Sequence, residues 1–309
     1  MTEHSTTRAW LLAARPQTLP AGAAPVVLGT GLAIRQGVFR PLPAVLALLG
    51  ALLLQIGTNF ANDYYDAIKG ADTDEREGFT RVTQAGLIEP AAVKRAMILT
   101  FLIAVGVGCV LVAIGGVPIL LIGLASIGAG FTYTGGPYPY GYRGLGDLFV
   151  FVFFGVIAVT GTYYVQAIVP YGPPLGLSVP SATLPTIALL VSLAPAALAT
   201  AILVINNIRD RETDAAAGKR TLAVMLGYRL SRFELLALLA LAYAVPLWLV
   251  MDTSALLVGL PVVTIPIAAR LVHTVFDSTS AETLDPALER MGQLLGAHSL
   301  LFAVGLALS

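Results

Sequence analysis

AMILTFLIAVGVGCVLVAIGGVPILLIGLASIGAGFTYTGGPYPYGY, residues 96–142, contains no Asp, Glu, Lys or Arg. A bilayer is crossed by roughly 20 apolar residues, so this run is long enough for two spans. Residues 148–208 are equally free of formal charge and again hold two spans. Around these stretches the composition agrees: 57% of the 309 residues are hydrophobic and 12% charged, with a mean hydropathy of +0.82. Such a chain belongs among integral membrane proteins. A formal net charge of zero argues against nucleic-acid binding, which calls for clustered, uncompensated Lys and Arg.

Apolar runs divided by Gly, Pro and charge clusters predict nine helices, at about 16–36, 41–65, 92–113, 117–135, 148–170, 183–208, 233–251, 254–275 and 289–308. The fold class is therefore an all-α polytopic bundle in one transmembrane domain, 1–309, behind a polar tail of about 15 residues. Barrel strands alternate in polarity, and these uniformly apolar segments do not. Residues 1–15 lack the pattern of a cleavable signal, so the first helix is expected to stay in the mature protein. With the N-terminus inside, sixteen of the eighteen Lys and Arg fall on the cytoplasmic side, and only Arg35 and Arg40 fall outside. This predicts a multi-pass protein of the cell membrane whose charged mouth faces the cytoplasm.

The single cysteine, Cys109, reads as a small buried apolar residue, and Gly106 and Gly108 read as close helix packing. His4, His273 and His298 stand apart from one another and read as structural or solvated rather than as metal ligands.

The acids are not scattered. Residues 62–77 and 206–214 hold nine of the eighteen Asp and Glu side chains. On the second helix Gln55, Asn59, Asn62 and Asp66 recur every three or four residues, and on the sixth Asn206, Asp210 and Asp214 recur every four. Each set forms one stripe running toward the cytoplasmic end. Carboxylates on membrane helices are costly unless paired, solvated or bound to cations, and they usually mark a functional cavity. Mg²⁺ is the natural partner, since it takes oxygen ligands and commonly binds through one or two carboxylates plus substrate phosphates. The candidate ligands are Asn62, Asp63, Asp66, Asp72, Asp210 and Asp214, with Asn206 and Asn207 beside them. Asp74, Glu75, Glu77 and Glu212 individually fit solvated charges at helix ends. No His or Cys cluster suggests zinc or a redox metal.

Basic residues interleave with these acids. Lys69, Arg81, Arg143, Arg209, Lys219 and Arg220 are placed to stabilise the negative charge that grows on a departing diphosphate. Lys69 and Arg209, inside the motifs, are the best candidates for that role. The stretch YTGGPYPYGYRGLGDL, residues 133–148, joins the fourth and fifth helices at the same face. Its rings, Tyr133 and Tyr142 among them, suit an allylic cation or an aromatic acceptor, and Arg143 suits a carboxylate. The two charged connections also resemble each other, which suggests an internal duplication.

At these residues the chain resembles the UbiA superfamily of intramembrane prenyltransferases, and most closely its menaquinone branch, which prenylates 1,4-dihydroxy-2-naphthoate. The resemblance covers ARPQTLPAGAAPVVLGT from Ala14, NFANDYYDAIKGAD from Asn59, YTGGPYPYGYRGLGDLFVFVFFG from Tyr133 and NNIRDRETDAAAGKRTLAVMLG from Asn206. The superfamily pattern NDxxDxxxD is matched by Asn62, Asp63 and Asp66, but its last position is Gly70 and the next acid is Asp72. That departure is the form of the naphthoate branch. Asp210 and Asp214 match DxxxD.

The resemblance implies nine helices around a cavity, with Mg²⁺, two ions with the diphosphate, near its cytoplasmic mouth. Asn59, Arg81, Tyr133, Tyr142, Arg143, Asn206, Asn207, Lys219 and Arg220 would bind the substrates, and Asp66, Asp72, Lys69 and Arg209 would act in catalysis. A polyprenyl diphosphate and an aromatic acceptor would be the partners, in contact with the bilayer. The carbon attacked would be the one bearing the carboxyl group, so CO₂ would leave with diphosphate. Other superfamily acceptors, 4-hydroxybenzoate, homogentisate or a glycerol-phosphate lipid, are the alternatives, and an ion-coupled transporter is the rival from another class.

Overall fold

The structure is a computed structural model that describes residues 6–69, 82–134 and 139–309. Among the described residues every regular element is helical. A short α1 (Thr6–Ala14) leads through a 3₁₀ turn at Pro16–Thr18 into α2 (Leu19–Arg35). Then follow α3 (Pro41–Lys69), α4 (Pro90–Thr134) and α5 (Gly146–Phe151), the last passing through a π-helical stretch, Val152–Ile157, into α6 (Ala158–Ala167). The chain continues as α7 (Thr186–Arg209), α8 (Arg211–Ala216), α9 (Leu222–Thr253), α10 (Ile265–Asp277) and α11 (Ala281–Ala307). Seven helical stretches among the described residues are long and apolar enough to cross a membrane.

α4 consists of two helices that meet at a kink at Gly116, φ 68° and ψ −155°, where the expected pair at 92–113 and 117–135 divides. Gly116 is needed there twice over. Its left-handed backbone favours a residue without Cβ, and a Cβ would lie 2.3 Å from the Pro174 carbonyl oxygen. Val117 N–H donates to that same oxygen at 3.1 Å. α9 and α11 begin at 222 and 281, well before the expected 233 and 289. α11 carries Glu282 in its first turn, which hydropathy alone assigns to a loop, while α9 starts with a short apolar turn capped by Thr221 through the Val224 N–H and kinks at Gly227.

α7 is the central post. Of its most apolar window 67% is buried, against 11% for α4. Ala194, Ala196, Ala197, Ala199 and Ala201 are all nearly inaccessible, and small side chains let neighbouring backbones approach where lipid supplies no hydrophobic drive. Gly155 is forced by this packing, since a Cβ would sit 2.0 Å from that of Ala196 on α7. At Gly31 on α2 a Cβ would meet the Ala303 backbone of α11 at 2.6 Å. Gly106 and Gly108 do not pack closely as expected: nothing lies within 4 Å of the Cβ each would carry. Cys109 is likewise exposed rather than buried, because this stretch of α4 is peripheral.

One buried polar contact crosses the core. Pro246 inside α9 has no N–H to return to the Ala242 carbonyl four residues earlier. His298 of α11 is fully buried and faces that carbonyl, although neither ring nitrogen reaches full hydrogen-bond geometry. Tyr243 packs edge-on to the imidazole at 5.1 Å and shares a 2.7 Å hydrogen bond with Thr264. His298 thus lies against the carbonyl that Pro246 leaves without its helical donor. His298→Leu is expected to cost about 1–3 kcal/mol. In a Pro246→Ala background, where the N–H is restored, the loss should shrink to less than half, as read by unfolding in detergent; equal losses in the two backgrounds would break this assignment.

Candidate active site

The end of α7 and the turn after it bring the second acidic motif together. Asp210 N–H donates to the Asn206 carbonyl at 3.0 Å and Asp214 N–H to that of Asp210 at 2.8 Å, so the helical path runs into α8 with little break. Arg209, its side chain 6% exposed, lies across this corner. Its Nε donates to Asp210 Oδ1 at 2.7 Å and its Nη2 to Asp210 Oδ2 and Asn206 Oδ1, both at 2.8 Å. Its Nη1 reaches Asp285 Oδ1 on α11 at 2.6 Å. A forked, bidentate pair of this kind fixes a carboxylate in direction as well as charge. Asp285 lay in a presumed connection and carried no role from sequence. The acid four residues after the start of a long helix was its only signal.

Gly218, in the left-handed region at φ +73°, turns the chain back so that Lys219 Nζ meets Asp214 Oδ1 at 2.8 Å. Arg220 is exposed on the same turn. The aromatic stretch docks here. Arg220 N–H donates to the Tyr142 carbonyl at 2.9 Å, and Lys219 Nζ lies 5.1 Å from the Tyr142 ring centre. Tyr133 stands edge-on to Tyr140 at 5.4 Å, and Tyr140 stacks on Phe149 at 3.9 Å. Arg143 is exposed at the end of the 3₁₀ turn Tyr140–Arg143.

Burial raises the pKa of the Tyr133 hydroxyl, and negative charge on Asp147, then on Tyr140, Asp214 and Tyr142, raises it further. Burial likewise pushes Tyr140 up to about 12. Both rings stay neutral at physiological pH. Asp147, 7% exposed, has no hydrogen-bond partner for either oxygen; it was read as part of the loop without a role.

The first motif is arranged differently from its sequence reading. Asn59, 3% exposed, donates to the Ala14 carbonyl at 2.8 Å and to Thr18 Oγ1 at 2.9 Å, and Gln55 also reaches Thr18 Oγ1, at 3.2 Å. These amides therefore hold the turn between α1 and α2. Arg15 sits in that turn, 9% exposed, with a left-handed backbone at φ 50° and ψ 69°. Strain in a non-glycine residue concentrates at functional sites, and only the backbone could reveal it. Asp63, 1% exposed, accepts from Val82 N–H at 3.0 Å and Thr83 N–H at 3.1 Å, which fixes where the chain re-enters after the first motif. Asn62 is half-buried on α3 and Asn207 buried on α7. The backbone of α3 includes Asp66 and Lys69, but their side chains, with Asp72 and Arg81, lie outside the described residues. α2 and α6 each pack against both α3 and α7 and so hold the two motifs in one assembly. Among the described residues no three His, Cys, Asp or Glu side chains converge on one point.

Residues 23–294 match the UbiA prenyltransferase family. The chain belongs to this family. Among curated UbiA-type relatives, it is 39% identical to the 1,4-dihydroxy-2-naphthoate octaprenyltransferase of Escherichia coli (strain K12), over 100% of this chain and 99% of that one. It is 38% identical to the enzyme of the same name from Mycobacterium tuberculosis (strain ATCC 25618 / H37Rv), over 96% of each. Its fold is similar to that of a UbiA homologue from Aeropyrum pernix K1 in its apo form, with a TM-score of 0.62 at 16% identity over 90% and 96% of the two chains. A UbiA homologue from Archaeoglobus fulgidus bound to DMAPP and Mg²⁺ aligns at a TM-score of 0.56 and 18% identity, over 96% and 99%.

For this prenyltransferase, the raised pKa of Tyr140 sets a pH dependence. The folded state holds the phenolic proton more tightly than the unfolded chain, so the associated stability is intact below pH 10 and is lost as pH rises toward 12. Tyr140→Phe should flatten that decline, while costing about 1 kcal/mol at neutral pH for the 2.8 Å bond to the Ala129 carbonyl. Unfolding midpoints at pH 8 and about pH 11 measure both effects; an unchanged decline in the variant would contradict them.

Proposed function

We propose that this chain transfers a polyprenyl group from its diphosphate to 1,4-dihydroxy-2-naphthoate, releasing CO₂ and diphosphate and yielding demethylmenaquinol. The observation that carries this reading is full-length similarity, at 38–39% identity, to enzymes named for that naphthoate.

The donor set suits Mg²⁺: carboxylate and amide oxygens, without thiolate or imidazole, on the ends of α3 and α7. Asn62, Asp63, Asp66 and Asp72 would hold metal on one side, and Asp210 and Asp214 on the other. Asp63 and Asp210 already accept hydrogen bonds, yet both Asp63 oxygens and Asp210 Oδ1 accept only one each and keep a lone pair for a cation. When bound, Mg²⁺ neutralises charge on the diphosphate oxygens and makes it a better leaving group.

The protein's own residues do the rest. Lys69, Arg81, Lys219 and Arg220, with Asn206 and Asn207, steady the departing diphosphate. Arg209 works through Asp210: at least four of its N–H groups are committed to Asp210, Asn206 and Asp285, so it positions the carboxylate. As the C–O bond to diphosphate breaks, the allylic carbon takes on positive charge, and the rings of Tyr133 and Tyr142 face it or the acceptor. Arg143 holds the acceptor carboxylate until the new C–C bond forms and the carboxyl group departs as CO₂. Asp66 or Asp72 orients the phenol.

Nine crossings follow if α4, about 68 Å long at 1.5 Å per residue, crosses twice about Gly116 and α11 crosses once. The sixteen Lys and Arg at the motif end then place that end in the cytoplasm.

Membranes supplied with labelled polyprenyl diphosphate, Mg²⁺ and the naphthoate should give lipid-soluble product and equimolar CO₂. The same membranes should give nothing with 4-hydroxybenzoate or homogentisate, and a reversed preference would sink the acceptor assignment. Asp66→Ala and Asp210→Ala should abolish turnover while leaving protein in the membrane. Asp285→Ala should raise the Mg²⁺ requirement by about 10–100-fold, the usual effect of losing an outer partner of a metal ligand; an unaltered Mg²⁺ titration would remove Arg209 and Asp285 from that role.

A further inference from the structure

The opposite end of the bundle carries a feature far from both acidic motifs. An apolar groove of about 380 Å³ runs along the outer face of α2, between the start of α3 and the end of α11. Val27, Ile34, Phe39, Ala44, Leu48 and Val304 are among its walls. It lies away from both acidic motifs: from Leu48 to Asn62 the same helix rises about 21 Å.

Two observations say what fills it. First, the groove ends where charge begins. Ile34 and Pro41 line it, and the residues beside them, Arg35 and Arg40, are the only two of the eighteen Lys and Arg predicted on this face. Among the described residues neither guanidinium pairs with an acid. Arg35 Nη1 meets Ser309 Oγ, and Arg40 Nη1 reaches only the Phe39 carbonyl, at 3.4 Å. Asp252, exposed near the end of α9, is the acid nearest in sequence to this surface. Second, Arg35 also lines an adjoining hollow of about 480 Å³ of mixed polarity, where Thr253, Ser254 and Ser309 stand beside Ala255, Leu256, Leu257 and Leu308. The groove reaches Ala307 and the hollow starts at Leu308, so groove and hollow follow one another along the chain.

An apolar slot whose end adjoins two Arg residues in sequence and a hollow with three hydroxyl side chains has the polarity of one amphiphile. Cations at a membrane surface attract anionic headgroups, and two Arg side chains favour a phosphate, which guanidinium groups bind through paired donors. We propose that this surface is a binding site for an anionic phospholipid, with one acyl chain in the α2–α3–α11 groove and its phosphate between Arg35 and Arg40. The site joins α2, α3 and α11 at the end where no acidic motif holds them.

The purified full chain in a neutral detergent tests this by its thermal unfolding midpoint during titration with dioleoyl phosphatidylglycerol, dioleoyl phosphatidylcholine or glycerol 3-phosphate. Phosphatidylglycerol should raise the midpoint by several degrees and saturate. The choline lipid, with the same chains, should need at least tenfold more to do so, and glycerol 3-phosphate should do nothing. Arg35→Gln with Arg40→Gln should erase the preference for phosphatidylglycerol. Val45→Trp, which fills the groove from an exposed position on α3, should weaken binding of both lipids at least tenfold. Prenyl transfer by the Arg variants in mixed lipid should stay within twofold of the parent. Equal responses to the two lipids, a full response to glycerol 3-phosphate, or an undiminished preference in a folded double-Gln variant would each overturn the proposal.

Discussion

The Arg209 guanidinium is the interaction on which the arrangement of the site rests. It is 6% exposed at a membrane boundary, where an unpaired charge costs several kcal/mol. Asp210, Asn206 and Asp285 are therefore drawn to it, and in satisfying it they set the end of α7, the start of α8 and the lower part of α11 at fixed distances. Removing any one of these acceptors leaves a buried cation short of partners. The remaining features of the corner follow from its position: Asp214 projects one turn further on, Lys219 folds back onto it, and the Tyr142 carbonyl is held by the Arg220 N–H.

The first motif solves a similar problem with amides. Asn59 and Gln55 do not reach into open space but bind the turn at Ala14–Thr18, and Asp63 binds the backbone at Val82 and Thr83. Half of the polar stripe on α3 therefore holds the neighbouring backbone in place. A left-handed Arg15 is the cost of bringing α1 back across that stripe.

Hydropathy made the helices legible because runs such as 96–142 have no alternative in hydrocarbon, and charge asymmetry separated Arg35 and Arg40 from the rest. Acid clustering likewise marked the ends of α3 and α7. What escaped was whatever depends on a partner distant in sequence. Asp285 is 75 residues beyond Asp210, and Asn59 looks the same in the sequence whether it binds substrate or the Thr18 hydroxyl. Cys109 and Gly106 failed because apolar side chains in a membrane protein face lipid as readily as protein, so composition does not distinguish the two sides of α4. The early start of α11 was hidden by the acids Glu282 and Asp285, and that of α9 by Arg229 and Arg232 and the kink at Gly227.

The break in α4 has a consequence for biogenesis. Gly116 is shaped around the Pro174 carbonyl, which also accepts from Val117, yet residue 174 is synthesised only after two further helical segments have left the ribosome. Until then the nascent chain carries a long apolar rod with its bend unlatched. Insertion must be well advanced before the two halves of α4 acquire their final angle, and the loop between α6 and α7 acts as the catch that closes behind them.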